Sequence, residues 1–418
     1  MTEANNSVLS FPQDSEDPLT KILRDGARRL LAQALEAEVA AYIDKFADAK
    51  DDQDRRMVVR NGHHPERTIQ TGLGDVSIKQ PKVNDRRKDR DGQRQRFRSS
   101  ILPPYLRRTK NIEELLPWLY LKGLSTGDFS EALTSLLGKG APGLSATTIT
   151  RLKSVWYDEY SEWRKRDLSK SRFVYIWADG VYFNIRLGDG DRMCMLVIIG
   201  ATEDGKKEVL AVEPGYRESK TSWSEILLRL RDQGLTIAPE LAITDGALGF
   251  WASLDQVYPK TAQQRCWVHK TANVLEKLPK KKQPQAKSMI HDIYLADTRK
   301  DAEQAFDRFI EVFEDKYERA VKCLVKDRDT TLAFYDFPAK HWAHIRSTNP
   351  IESTFATVRL RSKKTKGCGS VNATVAMVFK LIKDAEKRWK KLRGYQLMAD
   401  VIDINVRFVD GKRKEIAA

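Results

Sequence analysis

The sequence predicts an α+β multidomain protein with a mixed α/β core, a helical insertion within that core, and a helical region before it. Three observations predict it. The chain has 418 residues, enough for roughly two to four domains. Strand-like runs gather between residues 171 and 245. Amphipathic helical patterns lie on both sides of them. Hydrophobic residues make up 41%, so a sizeable core is available and wholesale disorder is excluded.

Residues 1–17 are polar and read as a frayed, disordered tail. Beyond Asp17, Leu19, Ile22, Leu23, Leu30, Leu31, Ala34, Leu35 and Val39 recur on one face of a helix. The charged run Asp51, Asp52, Asp54, Arg55 and Arg56 breaks it. Two β-like runs follow, Arg67–Thr71 and Asp75–Lys79, parted by Gly72 and Gly74, which completes a region at 18–78. From Lys79 to Lys110 there are twelve basic residues against three acidic ones, which reads as a basic linker at 79–110.

Residues 111–167 read as three helices of a helix-turn-helix-like DNA-binding domain. The first spans about Asn111–Lys122, with Pro117 awkwardly inside it. Ser125-Thr126-Gly127-Asp128 is a capping pattern opening the second, which runs to about Leu137. Ser145 caps a third with Ile149, Leu152, Val155 and Trp156 on its apolar side and Thr147, Thr148, Thr150, Arg151 and Lys153 expected to be exposed, which suits docking in a major groove. Small helical bundles share this pattern.

From residue 171 the period changes to that of strands. Phe173–Ala178 and Val181–Leu187 flank Asp179-Gly180, and Met193–Ala201 is an apolar run suited to a doubly buried central strand. Ser222–Gln233 follows as an amphipathic helix, Leu241–Thr244 as a strand and Gly246–Gln256 as a helix. Three strands, helix, strand, helix is the order of an RNase H-like core, with its first part at 171–273. Residues 274–345 read as a helical insertion, in which Thr298 caps the run Ala302–Leu324 with Ala305, Phe306, Phe309, Val312 and Phe313 facing inward. Residues 346–395 finish the core with an acid-bearing helix and a long basic helix, Asn372–Leu392, and 396–418 form a tail.

A formal charge of +15 makes an anionic polymer the leading partner class. Met1 leads into polar and acidic residues, unlike a signal peptide, and the longest apolar run, Met193–Ile199, is too short to span a membrane. Cys194, Cys266, Cys323 and Cys368 show no regular spacing. The expectation is a cytoplasmic, nucleoid-associated protein in a reducing compartment.

Phosphodiester chemistry at neutral pH requires an activated oxygen nucleophile and neutralisation of charge on phosphorus, which two divalent cations about 4 Å apart supply. Mg2+, with Mn2+ as substitute, is held through a few carboxylates. Asp179, Asp245 and Glu352 are the candidates, and each has a plainer role open to it. Asp179-Gly180 is a type I′ hairpin signal, Asp245 is placed as a helix N-cap, and Glu352 stands at N3 of a capping box behind Asn349 and Pro350. Their order counts for function: acids on a first strand, after a fourth strand and on a last helix would meet at one end of such a sheet.

The segments WADGVYF, ITDGALGFWASL, QRCWVHK and HIRSTNPIESTFATVRLRSKKTKG resemble the mutator-type family of bacterial insertion-sequence transposases. VRNGHHPERTIQTGLGDVSIKQPKV is similar to that family's N-terminal part, and the likeness spans roughly residues 20–395. The resemblance implies that Asp179, Asp245 and Glu352 are the catalytic, metal-binding DDE triad. It also singles out Cys266-Trp267-Val268-His269, a Cys-x2-His motif after the second acid. His341 and His344 offer two more zinc ligands in principle, but the 71 residues separating them from His269 are far from compact finger spacing. A buried Cys266, with His269 orienting a carboxylate or contacting DNA and His344 in support, is preferred.

Arg359 stands seven residues after Glu352, on the same helical face. With Arg346, Arg361, Lys363, Lys364 and Lys366, and with Thr147, Thr148 and Arg151 upstream, it forms the expected DNA-contact set. The resemblance implies a transposase that binds terminal inverted repeats and target DNA as a homodimer or larger assembly. A nuclease or resolvase that hydrolyses without joining, and a non-catalytic DNA-binding regulator, are the rivals.

Overall fold

The computed structural model describes residues 18–88, 92–109, 146–184, 192–215, 218–364 and 370–415. The chain divides into two compact units, residues 1–148 and 149–418.

In the first unit, helix α1 (Pro18–Lys45) is followed by four strands: β1 (Val58–His63), β2 (Arg67–Thr71), β3 (Gly74–Ile78) and β4 (Pro81–Asp85). β2 and β3 correspond to the two expected β-like runs and pair antiparallel as a hairpin, with Thr71 opposite Gly74, and β1 pairs antiparallel with β4. Leu35 of α1 packs with Ile69, Ile78 and Leu102 in a small core. The apolar stripe of α1 is buried only in part: Leu35 and Val39 are covered, while Leu19, Ile22, Leu23 and Leu30 are exposed. The stretch expected to be a basic linker is folded near both of its ends. Pro81–Asp85 is a strand, Arg87 pairs with Asp85, and Thr109 N–H donates to Gln70 O. Local charge density outweighed the alternation of Pro81, Val83 and Asp85 in the sequence reading.

Helix α2 (Ala146–Trp163) is the third helix of the expected helix-turn-helix. The two before it lie outside the described residues. Trp156 and Tyr160 of α2 are buried, whereas Val155 is half exposed.

The second unit holds a five-stranded mixed sheet in the order β7-β6-β5-β8-β9. It is built from β5 (Phe173–Asn184), β6 (Arg192–Thr202), β7 (Lys207–Gly215), β8 (Leu241–Thr244) and β9 (Ala262–Arg265). β5, β6 and β7 are antiparallel neighbours, and β8 and β9 run parallel to β5. Asp179-Gly180 is not a turn. It lies within β5, with Asp179 opposite Val197 and Gly180 opposite Leu196, because the whole of β5 is zipped to the apolar strand β6. Two strands unmarked in the sequence reading, β7 and β9, complete the sheet. β9 is the polar AQQR, and its Gln264 is wholly buried with its amide spent on Arg265 O, Thr331 O and Phe334 N.

Helices α3 (Lys220–Asp232) and α4 (Leu248–Val257) cover one sheet face, where Ile176, Ala178, Trp223, Leu227, Phe250 and Leu254 share the core. Residues Tyr175, Trp177 and Asp179 point the other way by strand alternation. On that side α5 (Trp267–Glu276) leads into the insertion, α6 (Gln283–Tyr294) and α7 (Arg299–Val325). The Thr298 hydroxyl caps α7 by accepting the Asp301 N–H at 3.1 Å, as the sequence predicts. Phe306, Phe309 and Phe313 are buried on α7, but Val312 is half exposed. After α8 (Arg328–Leu332) and α9 (Trp342–Ile345) come α10 (Asn349–Lys364), packed on β5, and α11 (Val371–Glu386), packed on β7. α11 ends six residues short of the expected Leu392 and is a core helix, with Val375–Phe379, Leu381 and Ile382 buried. No helix among the described residues is long and apolar enough to cross a membrane.

Candidate active site at the carboxyl end of the sheet

The register of β5 and β8 fixes the first two acids. Ala178 pairs in parallel with Thr244, so Asp179 and Asp245 are the next residues on adjacent strands, whose spacing is about 4.8 Å. Asp179 is 6% exposed and takes one hydrogen bond among the described residues, from Gly180 N–H to Oδ1 at 2.9 Å. Asp245 is half-buried, and its Oδ1 accepts the Ala247 N–H at 2.9 Å. It is therefore the pivot of a turn and not the N-cap of α4, whose cap residue is Ala247. Gly246 makes that turn at φ +90°, and a Cβ on it would lie 1.2 Å from Arg265 Nη1.

Glu352 arrives on α10 through a different route. Trp267 N–H donates to Arg346 O, and Thr348 N–H donates to Cys266 Sγ at 3.3 Å, which ties the start of α10 to the start of α5. The cap of α10 is one residue earlier than the spacing predicts: Thr348 O accepts the N–H groups of Ile351 and Glu352. Thr348 Oγ1 donates to Glu352 Oε1 at 3.3 Å, and His269 Nε2 stands 3.7 Å from the same oxygen. The ligand atoms of Cys266, His269 and Glu352 all lie within 4.8 Å of one another.

Electrostatics knit these groups together. Burial pushes the Asp179 carboxyl up to about 7; His269 opposes the rise, and Asp245 and Glu352 add to it. His269 is raised to about 9, first by its hydrogen bond with Cys266, against burial, and then by the charges of Cys266, Asp179 and Asp245. Burial opposes ionisation of the Cys266 thiol, but hydrogen bonds from His269 and Thr348 outweigh it and hold the group below its ordinary value. An imidazolium thus sits beside the acids.

One carboxylate here was missed by sequence reasoning. Glu218, between β7 and α3, is raised to about 7 by burial and then by Asp245 and Asp179. It is a lone acid before the N-cap Ser219, a pattern that any solvated loop shares.

The four-ligand zinc arrangement is not formed. His341 is buried, with its ring nitrogens 2.8 Å from the Tyr175 hydroxyl and from Gly394 O. His344 is not beside Cys266 and His269 either; its Nε2 accepts the Arg393 N–H at 3.2 Å, and its carbonyl accepts Trp177 Nε1–H. Arg346 is engaged inside the fold. Its guanidinium donates to Tyr294 O and Trp342 O and packs against the Tyr294 and Phe334 rings. Arg151 is exposed on α2. Arg359, Arg361, Lys363 and Lys364 are on α10 with side chains outside the described residues, as are those of Thr147 and Thr148; Lys366 lies wholly outside them.

A half-buried cluster of acids at the carboxyl ends of parallel strands is the usual seat of a ligand-binding or catalytic site in an open α/β sheet. The model of the family "Transposase, Mutator family" matches residues 2–392, and the chain belongs to that family. It is similar to the transposase for insertion sequence element IS6120 of Mycolicibacterium smegmatis, 50% identical over 288 residues, covering 69% of this chain and 88% of that one. The transposase for element IST2 of Acidithiobacillus ferrooxidans is 49% identical over 281 residues, 67% of this chain and 94% of its own. The transposase for element IS256 in transposon Tn4001 of Staphylococcus aureus is 25% identical over 360 residues, 85% of this chain and 88% of its own. Membership of a transposase family makes the chain an enzyme of DNA cleavage and transfer.

Proposed function

We propose that this chain moves an insertion sequence by a metal-dependent DDE mechanism, with Asp179, Asp245 and Glu352 as the catalytic acids. The observation that carries the reading is the parallel register of Ala178 with Thr244, which sets the two aspartates side by side. The sheet order β7-β6-β5-β8-β9, with the first three strands antiparallel, supports an RNase H-like core.

The donor set suits Mg2+ or Mn2+. Asp179 and Asp245 offer hard carboxylate oxygens, and Asp179 Oδ2 has no hydrogen-bond partner among the described residues. When bound, divalent ions would lower the pKa of the attacking water or 3′-hydroxyl and offset charge at phosphorus. The chain's own residues do the rest. Burial keeps Asp179 fixed and largely out of water. Thr348 and His269 hold Glu352 Oε1 from two sides, so the helix-borne acid is oriented toward the strand-borne pair. His269, as imidazolium, is the nearby positive charge that lets the acids share one site.

DNA contact falls to the basic residues Arg359, Arg361, Lys363, Lys364 and Lys366 following Glu352, and to Thr147, Thr148 and Arg151 on α2 as part of a helix-turn-helix. Terminal inverted repeats are the substrate, synapsis takes at least two copies, and the nucleoid is the place of action.

The test is a duplex ending in the element's own terminus, incubated with target plasmid and Mg2+. Nicked ends joined to target are expected. Asp179→Ala, Asp245→Ala and Glu352→Ala should each abolish both products while leaving end binding intact. Cleavage without joining would favour a hydrolase, and full cleavage by any of the three variants would remove that acid from the site.

A further inference from the structure

Cys266, His269 and Glu352 bring sulfur, imidazole and carboxylate to one point from the starts of two helices. Cys266 is the N-cap of α5, and His269 stands in its first turn, three residues on. Glu352 lies in the first turn of α10. Their ligand atoms are all within 4.8 Å of one another. The Thr348 hydroxyl backs the group: it is 3.4 Å from Cys266 Sγ, 3.4 Å from His269 Nδ1 and 3.3 Å from Glu352 Oε1. Thr348 is fully buried, whereas the side chains of His269 and Glu352 are 34% and 30% exposed, so the open side of the group faces solvent.

A purely structural role explains only part of this arrangement. Thr348 fastens α10 to α5 through its N–H on Cys266 Sγ, yet a serine hydroxyl would accept that bond more strongly than a weakly accepting thiol. Nor does that fastening need a partly exposed imidazole and carboxylate. Sulfur and imidazole are poor ligands for Mg2+, which prefers oxygen, and good ones for Zn2+. Three such ligands with one open position, filled by a water, make a common zinc arrangement. A buried group hydrogen-bonded behind the ligands, as Thr348 is here, holds such a set in place.

We propose that Cys266, His269 and Glu352 form a site for a thiophilic divalent cation of the Zn2+ class, adjoining the Mg2+ site of the aspartates, and that filling it withdraws Glu352 from catalysis. The ion replaces the Cys266 thiol proton and any proton on the ligating His269 nitrogen, and these pass to solvent. The inhibitory half rests on the reading of Glu352 as a catalytic acid; the binding half does not. The test is titration of the full-length chain with Co2+, whose bond to a thiolate gives a near-ultraviolet charge-transfer band. A band that Zn2+ displaces is expected. It should be retained in Asp179→Asn, lost in Cys266→Ser, and need about tenfold more Co2+ or beyond in His269→Gln. Should Cys266→Ser fail to fold, Cys266→Ala carries that arm. No band in the wild type, or one that survives the loss of Cys266, overturns the site. In Mg2+, Zn2+ should inhibit duplex cleavage by the wild type at concentrations about tenfold below those that inhibit Cys266→Ser or His269→Gln, each measured against its own zinc-free rate. Equal inhibition of all three, with the wild-type band intact, overturns the withdrawal of Glu352 and leaves the ion site standing. Full cleavage by Glu352→Ala overturns the reading of that acid instead, and the band still reports the site.

Discussion

Two histidines flank the same face of β5, and their surroundings drive them to opposite charge states. His341 meets Tyr175 at one end of that face. Gly394 O can only accept, so Nε2 carries the proton and Nδ1 accepts from the Tyr175 hydroxyl. Burial holds this imidazole below its ordinary pKa, and the hydrogen bond to Gly394 opposes the shift only in part. His269 meets the acids at the other end, where its bond with Cys266 and the charges of Asp179 and Asp245 raise it to about 9. The first network is complete with neutral partners. The second gathers Asp179, Asp245 and Glu352 around one imidazolium, with the Arg265 guanidinium against Gly246, and shifts the protonation of Asp179 and His269 strongly. Such a cluster of coupled titratable groups distinguishes a candidate functional site from a structural polar contact.

The comparison is broken most decisively at Asp179. Asp179→Asn should reduce cleavage of an element-end duplex by on the order of 10³-fold or more, with gel-shift binding to the same duplex unchanged. Comparable activity would place the chemistry elsewhere.

A second expected effect is on stability. Because burial raises Asp179 to about 7, the folded protein without divalent ions keeps a proton that the unfolded chain releases near pH 4. Stability contributed by this group therefore falls as pH rises from about 4 to about 7. In chelator at pH 8, Asp179→Asn should be the more stable protein, by at most about 4 kcal/mol. The gap should close toward pH 4, and Mg2+ should reduce it by stabilising the wild type alone. Thermal melts at the two pH values check this; a gap independent of pH counts against the raised carboxyl.

Exchanging the two histidines for alanine should separate folding from chemistry. His341→Ala leaves a buried hydroxyl and carbonyl unmatched and opens a cavity, costing about 3 kcal/mol with Mn2+ affinity unchanged. His269→Ala should lower cleavage by about 10- to 100-fold with a much smaller change in melting. The reverse pattern would mean that the two ends of the face have been assigned the wrong way round. The smallest effect belongs to Tyr175→Phe, about 1 kcal/mol of stability and no loss of cleavage, read by denaturant titration and the duplex assay.

Local signals were the legible ones. The Thr298 cap, the Arg67–Thr71 hairpin partner and the strand Leu241–Thr244 each announce themselves within a few residues. β9 does not, because the reason Ala262–Arg265 is a strand is the insertion whose Thr331 and Phe334 satisfy Gln264. Asp179-Gly180 looks like a turn because its neighbours alone say so, and pairing with β6 overrides them. For the proposed site, Asp179, Asp245 and Glu352 were singled out by their order together with the family resemblance, and the Cys266–His269 pair by that resemblance alone. Glu218 was not, and His344 was misjoined, since spacing along the chain does not tell which way a short helix turns its rings.

By itself the sequence determined which groups are available and how they alternate: Tyr175 and Trp177 share one strand face within Phe173–Ala178, while Asp179 joins that face only through the pairing of β5 with β6. It also determined the surplus of positive charge and the local caps that start the helices. Only the tertiary structure decided that β5 lies parallel to β8, which makes neighbours of Asp179 and Asp245, and that Thr348 docks on Cys266, which delivers Glu352. Periodicity fixes the face a residue occupies, but its partner across the sheet depends on which other apolar surfaces the whole chain must bury.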